Sequence, residues 1–221
     1  GLGFEPTGMA AGGEAVWVVG GFQRRLVRID PDGRIRLTVG FEEQVPLRTG
    51  FERGPAGVAV GPDGVWVSHG LEVTRFDPRT GEVEKTAQAG GPWTNDIAVG
   101  EGTVWVAFTT RHLVPPGDQR VWAAALDAVD PRSGRRTARV PLVTDVVDLE
   151  VRDRSVWAAL EVGDTVWRIG PHPPHVDGTI PAGDAPIAIA VDRWLWAANK
   201  TAATVTGIDL RTGEHLAAAP A

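Results

Sequence analysis

Oxygen-bearing side chains that could bind a cation stand at the starts of two apolar segments of this sequence. Asn95 and Asp96 open the segment NDIAV, and Asp148 opens the core of VDLEV, with Glu150 two residues further on. Because residues i and i+2 of a β-strand point to the same side, Asp148 and Glu150 would share one face. Carboxylate and amide oxygens are the ligands of hard cations such as Ca²⁺ and Mg²⁺. These four residues are therefore candidate metal ligands. The alternative is that they cap loops or bind backbone amides of the neighbouring repeat.

Histidine and tryptophan side chains supply the remaining candidates. A histidine on an exposed binding face could act as a general base. Tryptophans that fall outside a repeat register offer large, rigid contact area to a ligand. The catalytic candidates on these grounds are His69 and His112, and the ligand-binding candidates are Trp93, Asn95, Asp96, Trp122, Asp148 and Asn199.

The strands that must position these residues are indicated by a sequence motif that recurs five times. A tryptophan stands in each of the β-type runs AVWVV, GVWVS, TVWVA, SVWAA and WLWAA, at Trp17, Trp66, Trp105, Trp157 and Trp196. Four of the runs are followed by a strand that ends in an aspartate turn: RIDPDG, RFDPRTG, AVDPRSG and GIDLRTG. Self-similarity with a period near forty residues indicates a β-propeller or a solenoid.

The second repeat shows the expected blade most clearly. Its four predicted strands are Gly57–Val60, Val65–Ser68, Val73–Asp77 and Glu82–Thr86, apolar in the first two and polar in the fourth. This gradient favours an all-β fold, a β-propeller of four-stranded blades, over a β-helix. Five repeats are visible, in either a closed five-bladed ring or part of a six- or seven-bladed one. We expect one domain, 1–221, with repeats at about 7–40, 56–89, 95–140, 147–182 and 186–219.

Two structural predictions follow from the repeat. The five repeat tryptophans should be buried between neighbouring blades, since large aromatic side chains dominate such cores. The aspartates of the Asp-Pro turns, Asp30, Asp77 and Asp130, should accept backbone N–H bonds within their own turns and bind no ligand.

Two insertions interrupt the regular repeat and suggest where function lies. One, Phe41–Pro55, joins the first repeat to the second, and the other, Thr109–Ala124, separates the second and third strands of the third repeat. In four-stranded blades both connections emerge where the first strand of a blade begins. Insertions on one face of a repeat protein often mark the binding face. We expect a small molecule or a protein segment to bind there, at the mouth of the central channel.

Composition excludes several classes of partner. The net charge is −6 and Lys and Arg are not clustered, so no nucleic-acid partner is expected. No apolar run is long enough to span a bilayer, so no membrane insertion is expected. The chain has no cysteine, which excludes a thiolate nucleophile or a cysteine metal site. The sequence does not begin with Met, and we expect a soluble part of a larger protein.

The repeat GPAGVAVGPDGVWVSHG…VTRFDPRTGEV resembles the YVTN/YncE-like (NHL-like) β-propeller superfamily, and its repeats are similar to those of virginiamycin B (streptogramin) lyase. The segment Thr94–Ile97 is similar to the Asn-Asp segment with which gluconolactonase-like propellers bind calcium. Because the acidic and histidine candidates are sparse, we expect a non-catalytic binding or sensor domain of a larger bacterial protein, with no cofactor. The resemblance implies an extracytoplasmic location, which is frequent in such families. The alternative it implies is a lyase-like or lactonase-like enzyme that uses Ca²⁺ or Mg²⁺ on the channel face.

Overall fold

The computed structural model describes residues 2–41, 55–114, 119–216 and 219–220, and over these residues it is all-β. Twenty strands form five four-stranded antiparallel sheets, each following chain order. Blade 1 contains β1 Gly8–Gly12, β2 Ala15–Gly20, β3 Arg25–Ile29 and β4 Ile35–Gly40; blade 2 contains β5 Gly57–Gly61, β6 Gly64–His69, β7 Glu72–Phe76 and β8 Val83–Gln88. Blade 3 contains β9 Trp93–Gly100, β10 Thr103–Val114, β11 Gln119–Val129 and β12 Arg136–Leu142; blade 4 contains β13 Val146–Arg152, β14 Ser155–Leu160, β15 Thr165–Pro171 and β16 Pro174–Pro181. Blade 5 contains β17 Pro186–Val191, β18 Trp194–Asn199, β19 Thr204–Asp209 and β20 Ala219–Pro220.

The predicted fold class, a β-propeller built from four-stranded blades, is confirmed by these sheets. The chain forms two compact units, one of residues 1–110 and 126–139 and the other of residues 111–125 and 140–221. Blades 1 and 2 belong to the first unit and blades 4 and 5 to the second, while the strands of blade 3 are divided between them. In the described part of the chain, no helix is long and apolar enough to cross a membrane.

Neighbouring blades within a unit pack through the repeat tryptophans. In the first unit Trp17 belongs to a core cluster with Val58, Val65 and Val67 of blade 2. Trp105 is also fully buried, as Trp66 is. β-branched side chains on the first two strands of a blade thus form the surface on which the tryptophan of the preceding blade lies. Their alternation along each strand presents one apolar face to the preceding blade.

The prediction of burial is confirmed for four of the repeat tryptophans and is wrong for Trp196, which is 38% exposed. Trp157 of blade 4 is covered by Val191, Leu195 and Ala197 of blade 5. Trp196 instead lies against Gly207 of β19 and beside Trp194, and part of its ring remains exposed.

The aspartate turns follow the predicted design in two of the three cases named. The Oδ1 atom of Asp77 accepts the backbone N–H of Arg79 and of Thr80 at 2.7 and 2.8 Å. Asp130 accepts the N–H of Arg132 and of Ser133 in the same way, at 2.8 and 2.7 Å. These backbone bonds lower the pKa of both carboxyls.

For Asp30 the prediction of a backbone cap was wrong. Its carboxylate pairs with Arg28 at 3.0 Å and Arg36 at 3.2 Å, and Asp32 accepts the backbone N–H of Arg34 instead. The turn DPDG is one residue shorter than DPRTG, so the second aspartate takes over the role of the cap.

Candidate binding face

Each blade has an end at which its first strand begins and at which its second strand turns into its third; we call this the starting end. The sequence candidates belong to this end. His69 ends β6, Asn199 ends β18, and Asn95, Asp96 and Asp148 lie near the starts of β9 and β13. The starting end is therefore the place where the candidate chemistry can be tested against the geometry.

His69 is buried rather than exposed, with 4% of its surface accessible. Its Nε2 atom lies 2.8 Å from Oγ1 of Thr74, which in turn lies 3.1 Å from Oγ1 of Thr86, so the three side chains link β6, β7 and β8. Phe41 packs edge-on against the imidazole, with ring centroids 5.4 Å apart. This histidine connects strands within blade 2, a structural role that needs no substrate.

The candidates on blade 3 lie at an irregularity of the strand. The pairing of β9 with β10 shifts between Ala107 and Phe108: Asp96 lies opposite Ala107 and Thr94 lies opposite Phe108, so Asn95 is the bulged residue. A bulge of this kind bends the strand and redirects side chains. The Nδ2 atom of Asn95 donates to Oγ1 of Thr109 at 3.0 Å, which ties the bulge to β10. Trp93, at the start of β9, is half-buried.

The carboxylates of blade 4 bind backbone amides of blade 5. Asp148 accepts the N–H of Ile189, and Glu150 accepts the N–H of Val191, both at 2.6 Å. Asp148 also accepts the N–H of Leu149 at 3.1 Å. Two carboxylates that alternate along β13 therefore match two alternate amides of β17. This is the amide-binding alternative that the sequence left open, and in Asp148 it engages both oxygens of the carboxylate.

Burial raises the pKa of the Glu150 carboxyl; the bond from Val191 opposes this shift, and the charge of Asp148 adds to it. A carboxylate that is desolvated and also close to a second carboxylate favours protonation. Among the described residues no group of three or more His, Asp and Glu side chains is arranged to hold a metal ion.

Asn199 is also engaged within its own blade. Its Nδ2 atom donates to Oγ1 of Thr206 at 2.8 Å and to Oγ1 of Thr204 at 3.2 Å, and the residue is buried. Gly183 approaches so closely that a Cβ there would meet the Asn199 amide at 2.5 Å. Asn199 thus holds β18 to β19 and to the segment before β17, and it is not presented to solvent.

The remaining candidates lie outside what can be described. The side chains of His112 and Trp122 are beyond the described part of the chain, as are residues 42–54 of the first insertion and 115–118 of the second. The rest of the second insertion lengthens β10 and β11 into strands of 12 and 11 residues. That the two insertions share a face remains a prediction.

The sequence analysis missed the exposed apolar side chains at the starting ends. Phe22, in the turn between β2 and β3, is 84% exposed, and Leu71 lies exposed in the corresponding turn of blade 2. In the second unit Val162, in the turn between β14 and β15, is 68% exposed, and Val143 and Ile187 are exposed beside the starts of β13 and β17. Their signal in the sequence was an apolar residue inside a turn rich in glycine and polar residues.

Comparison with known proteins supports the fold and goes no further. The sequence matches no protein-family model and no curated protein. It is similar in structure to a protein of unknown function from Bacteroides caccae, with a TM-score of 0.64 and 14% identity over 93% of this chain and 72% of that one. BamB from Moraxella catarrhalis gives a TM-score of 0.60 and 13% identity over 99% of this chain and 62% of that one.

The WD40 domain of Neurospora crassa Pan2 is similar as well, with a TM-score of 0.58 and 14% identity over 89% of this chain and 60% of that one. The chain therefore spans less than two thirds of the length of BamB and of the Pan2 domain. At these identities the similarity establishes a β-propeller fold and says nothing about activity.

Proposed function

We propose that this chain is a non-catalytic propeller domain that binds a protein segment through the starting ends of its blades. The observation that carries the proposal is the pair of exposed apolar side chains in the turns at the starting ends of blades 1 and 2 in the first unit, Phe22 and Leu71. Exposed apolar side chains that lie together on a surface mark interaction sites.

The state of the polar candidates supports a binding role over a catalytic one. His69 is bonded to Thr74, Asn199 to two threonines, and Asp148 and Glu150 to the amides of β17. A general base needs to reach the proton that it removes. Each of these side chains instead stabilises the blade or the contact between blades 4 and 5.

The shape of the exposed groups favours a protein segment over a small molecule. Small molecules bind in concave, largely apolar sites that enclose them. A side chain that is 84% exposed at the tip of a turn, as Phe22 is, projects outward and encloses nothing. Such a residue contributes contact area when a partner surface or an extended segment lies across the turn.

A display library of random twelve-residue peptides tests the proposal. We expect wild-type protein to enrich peptides with apolar anchors, and we expect the double variant Phe22→Ser/Leu71→Ser to bind them at least tenfold more weakly. The matched control is Ile35→Ser/Val83→Ser, which removes exposed apolar side chains from the opposite ends of the same two blades. This control should bind as the wild type does.

Two results would contradict the proposal. One is a set of enriched peptides that both double variants bind equally well. The other is turnover of a streptogramin B or of a lactone that depends on added Mg²⁺ or Ca²⁺, which would favour the enzyme alternative.

A further inference from the structure

The starting ends of blades 4 and 5, both in the second unit, are joined into one surface by hydrogen bonds. The carbonyl oxygen of Asp164, in the turn between β14 and β15, accepts the N–H of Ala182 at 2.9 Å. The Oδ1 atom of Asp164 accepts the N–H of Ala185, also at 2.9 Å. The N–H of Lys200, in the turn between β18 and β19, donates to the carbonyl oxygen of Ala185 at 2.9 Å. Two turns and the segment that leads into β17 therefore lie side by side.

Apolar side chains are exposed on this surface at both blades. Val162 stands in the β14–β15 turn, two residues before Asp164, and is 68% exposed. Ile187 stands two residues after Ala185 and is 42% exposed. The register of β17 against β18 shifts at Ile187, and a bulge of this kind redirects the side chain of the extra residue. Each blade thus offers one apolar side chain to a partner.

The charge on this surface is negative. Within residues 140–221 the charged side chains near the starting ends are Asp145, Asp148, Glu161, Asp164, Asp184 and Lys200. Lys200 pairs with Glu161 at 3.2 Å, so the one cation on the surface is already offset there. Asp164 and Asp184 are exposed, and neither has an ion-pair partner among the residues that the structure describes. The arginines in the turns of blades 4 and 5 lie at the opposite ends, at Arg152, Arg154, Arg193 and Arg211.

We infer that the starting ends of blades 4 and 5 bind a positively charged protein segment in which lysine or arginine residues alternate with apolar ones. A segment that crosses from blade 4 to blade 5 meets an apolar and an acidic side chain on each, Val162 with Asp164 and Ile187 with Asp184. Exposed carboxylates attract cationic side chains over a screening length of about 8–10 Å and favour partners of complementary charge. The choice of a protein segment as the ligand rests on the function proposed above, whereas the surface is a separate one, since Phe22 and Leu71 lie in the first unit.

Other occupants fit this surface less well. Carboxylates repel nucleic acids and anionic lipids. Among the described residues no group of three or more His, Asp and Glu side chains is arranged to hold a metal ion. A second copy of the chain could offer the arginines of its opposite ends, but Arg193 is paired there with Asp209 at 3.3 Å, and Asp153 stands between Arg152 and Arg154.

The experiment measures the fluorescence anisotropy of two labelled twelve-residue peptides with the full chain, in a buffer that contains EDTA. One peptide alternates lysine with valine, and the other carries glutamate in place of every lysine. The test variant is Asp164→Asn/Asp184→Asn, because asparagine keeps an oxygen that can accept the N–H of Ala185. Asp184→Asn alone is the second variant, to be used if the double variant unfolds. The matched control, Asp153→Asn/Asp192→Asn, removes the same charge from the opposite ends of the same two blades.

We expect the wild type to bind the lysine peptide about tenfold or more tightly than the glutamate peptide, and to bind it more weakly in about 0.5 M NaCl. The test variant and, separately, Val162→Ser should each weaken binding of the lysine peptide about fivefold. The matched control should bind as the wild type does.

Equal binding of the two peptides, or an equal loss in the test variant and the matched control, overturns the inference, as does binding that Val162→Ser leaves unchanged. Self-association of the chain that Asp164→Asn/Asp184→Asn abolishes overturns it as well, because a second copy would then occupy the surface. Phe22→Ser/Leu71→Ser separates this test from that of the proposed function. This variant should bind the lysine peptide as the wild type does, and a loss of binding would place the site in the first unit instead.

Discussion

Trp66 and Trp196 occupy the same place in the repeat, and comparing Trp66→Ala with Trp196→Ala tests how the blades are stabilised. Trp66 is fully buried, so its loss removes the whole transfer free energy of the ring and leaves a cavity, at a cost of about 3–5 kcal/mol. Trp196 is 38% exposed, so truncation gives up only part of that transfer free energy and opens no closed cavity. We expect a cost there of about 2 kcal/mol.

Urea unfolding at neutral pH measures both costs as shifts in midpoint with an unchanged slope. In thermal unfolding, about 2–4 °C per kcal/mol is expected for a chain of this size, so Trp66→Ala should melt about 6–20 °C below wild type. The indole N–H of Trp66 has no hydrogen-bond partner among the described residues, so the cost belongs to ring volume, and Trp66→Phe should recover most of it. Equal losses for the two alanine variants would refute the expectation that partial exposure of the Trp196 ring lowers its contribution to stability.

Three further predictions concern carboxylates. Asp127 is fully buried, binds Arg139 through two bonds of 2.6 and 2.8 Å and accepts the backbone N–H of Gly90 at 3.0 Å. Asp127→Ala should cost about 1–3 kcal/mol in urea unfolding because it removes the acceptor of that N–H, while the partly exposed Arg139 can be solvated; a loss near zero would contradict this role. Burial raises the pKa of Glu150, so the stability that this group contributes is present below the usual carboxyl range and is lost as the pH rises through the raised native pKa. Between pH 4 and pH 7 the urea midpoint of Glu150→Gln should therefore change less with pH than the wild-type midpoint does. A variant with the same pH profile as the wild type would contradict this prediction. The backbone hydrogen bonds of its turn lower the pKa of Asp77, so the stability that this carboxylate contributes above the usual carboxyl range is lost as the pH falls through its native pKa. Asp77→Asn should therefore narrow the difference between the unfolding midpoints at pH 7 and pH 2.5. A wider difference would contradict the turn assignment.

The fold could be predicted because its signals are local. In blade 2 the predicted strand Gly57–Val60 is Gly57–Gly61 in the structure, and Val65–Ser68 is Gly64–His69. Alternation of apolar residues and the Asp-Pro turns are enough to locate these strands, since both depend on residues close in sequence. The exposure of Trp196 could not be predicted in this way, because the phrase WLWAA carries no information about whether another blade lies against it.

The candidate site was harder to predict because its residues act across strands and blades. The sequence places His69 at the end of a strand, but its burial depends on Thr74 of the next strand and on Phe41, the first residue of the first insertion. Phe22 could not be predicted as a binding residue from the sequence, because a single exposed apolar residue in a turn is common. It gains meaning only when Leu71 is seen at the corresponding place in the next blade.

The pair Asp148 and Glu150 shows why acidic residues on a first strand need not indicate a metal site. The first strand of a blade is a sheet edge, and its alternate N–H groups have no partner in the sheet. An unpaired buried donor costs about 1–3 kcal/mol, so a carboxylate that accepts it is stabilising even after partial desolvation. β13 provides two such acceptors in register with two donors of β17, at residues 189 and 191. Blade 5 is thereby attached to blade 4 by charge-assisted hydrogen bonds as well as by Trp157.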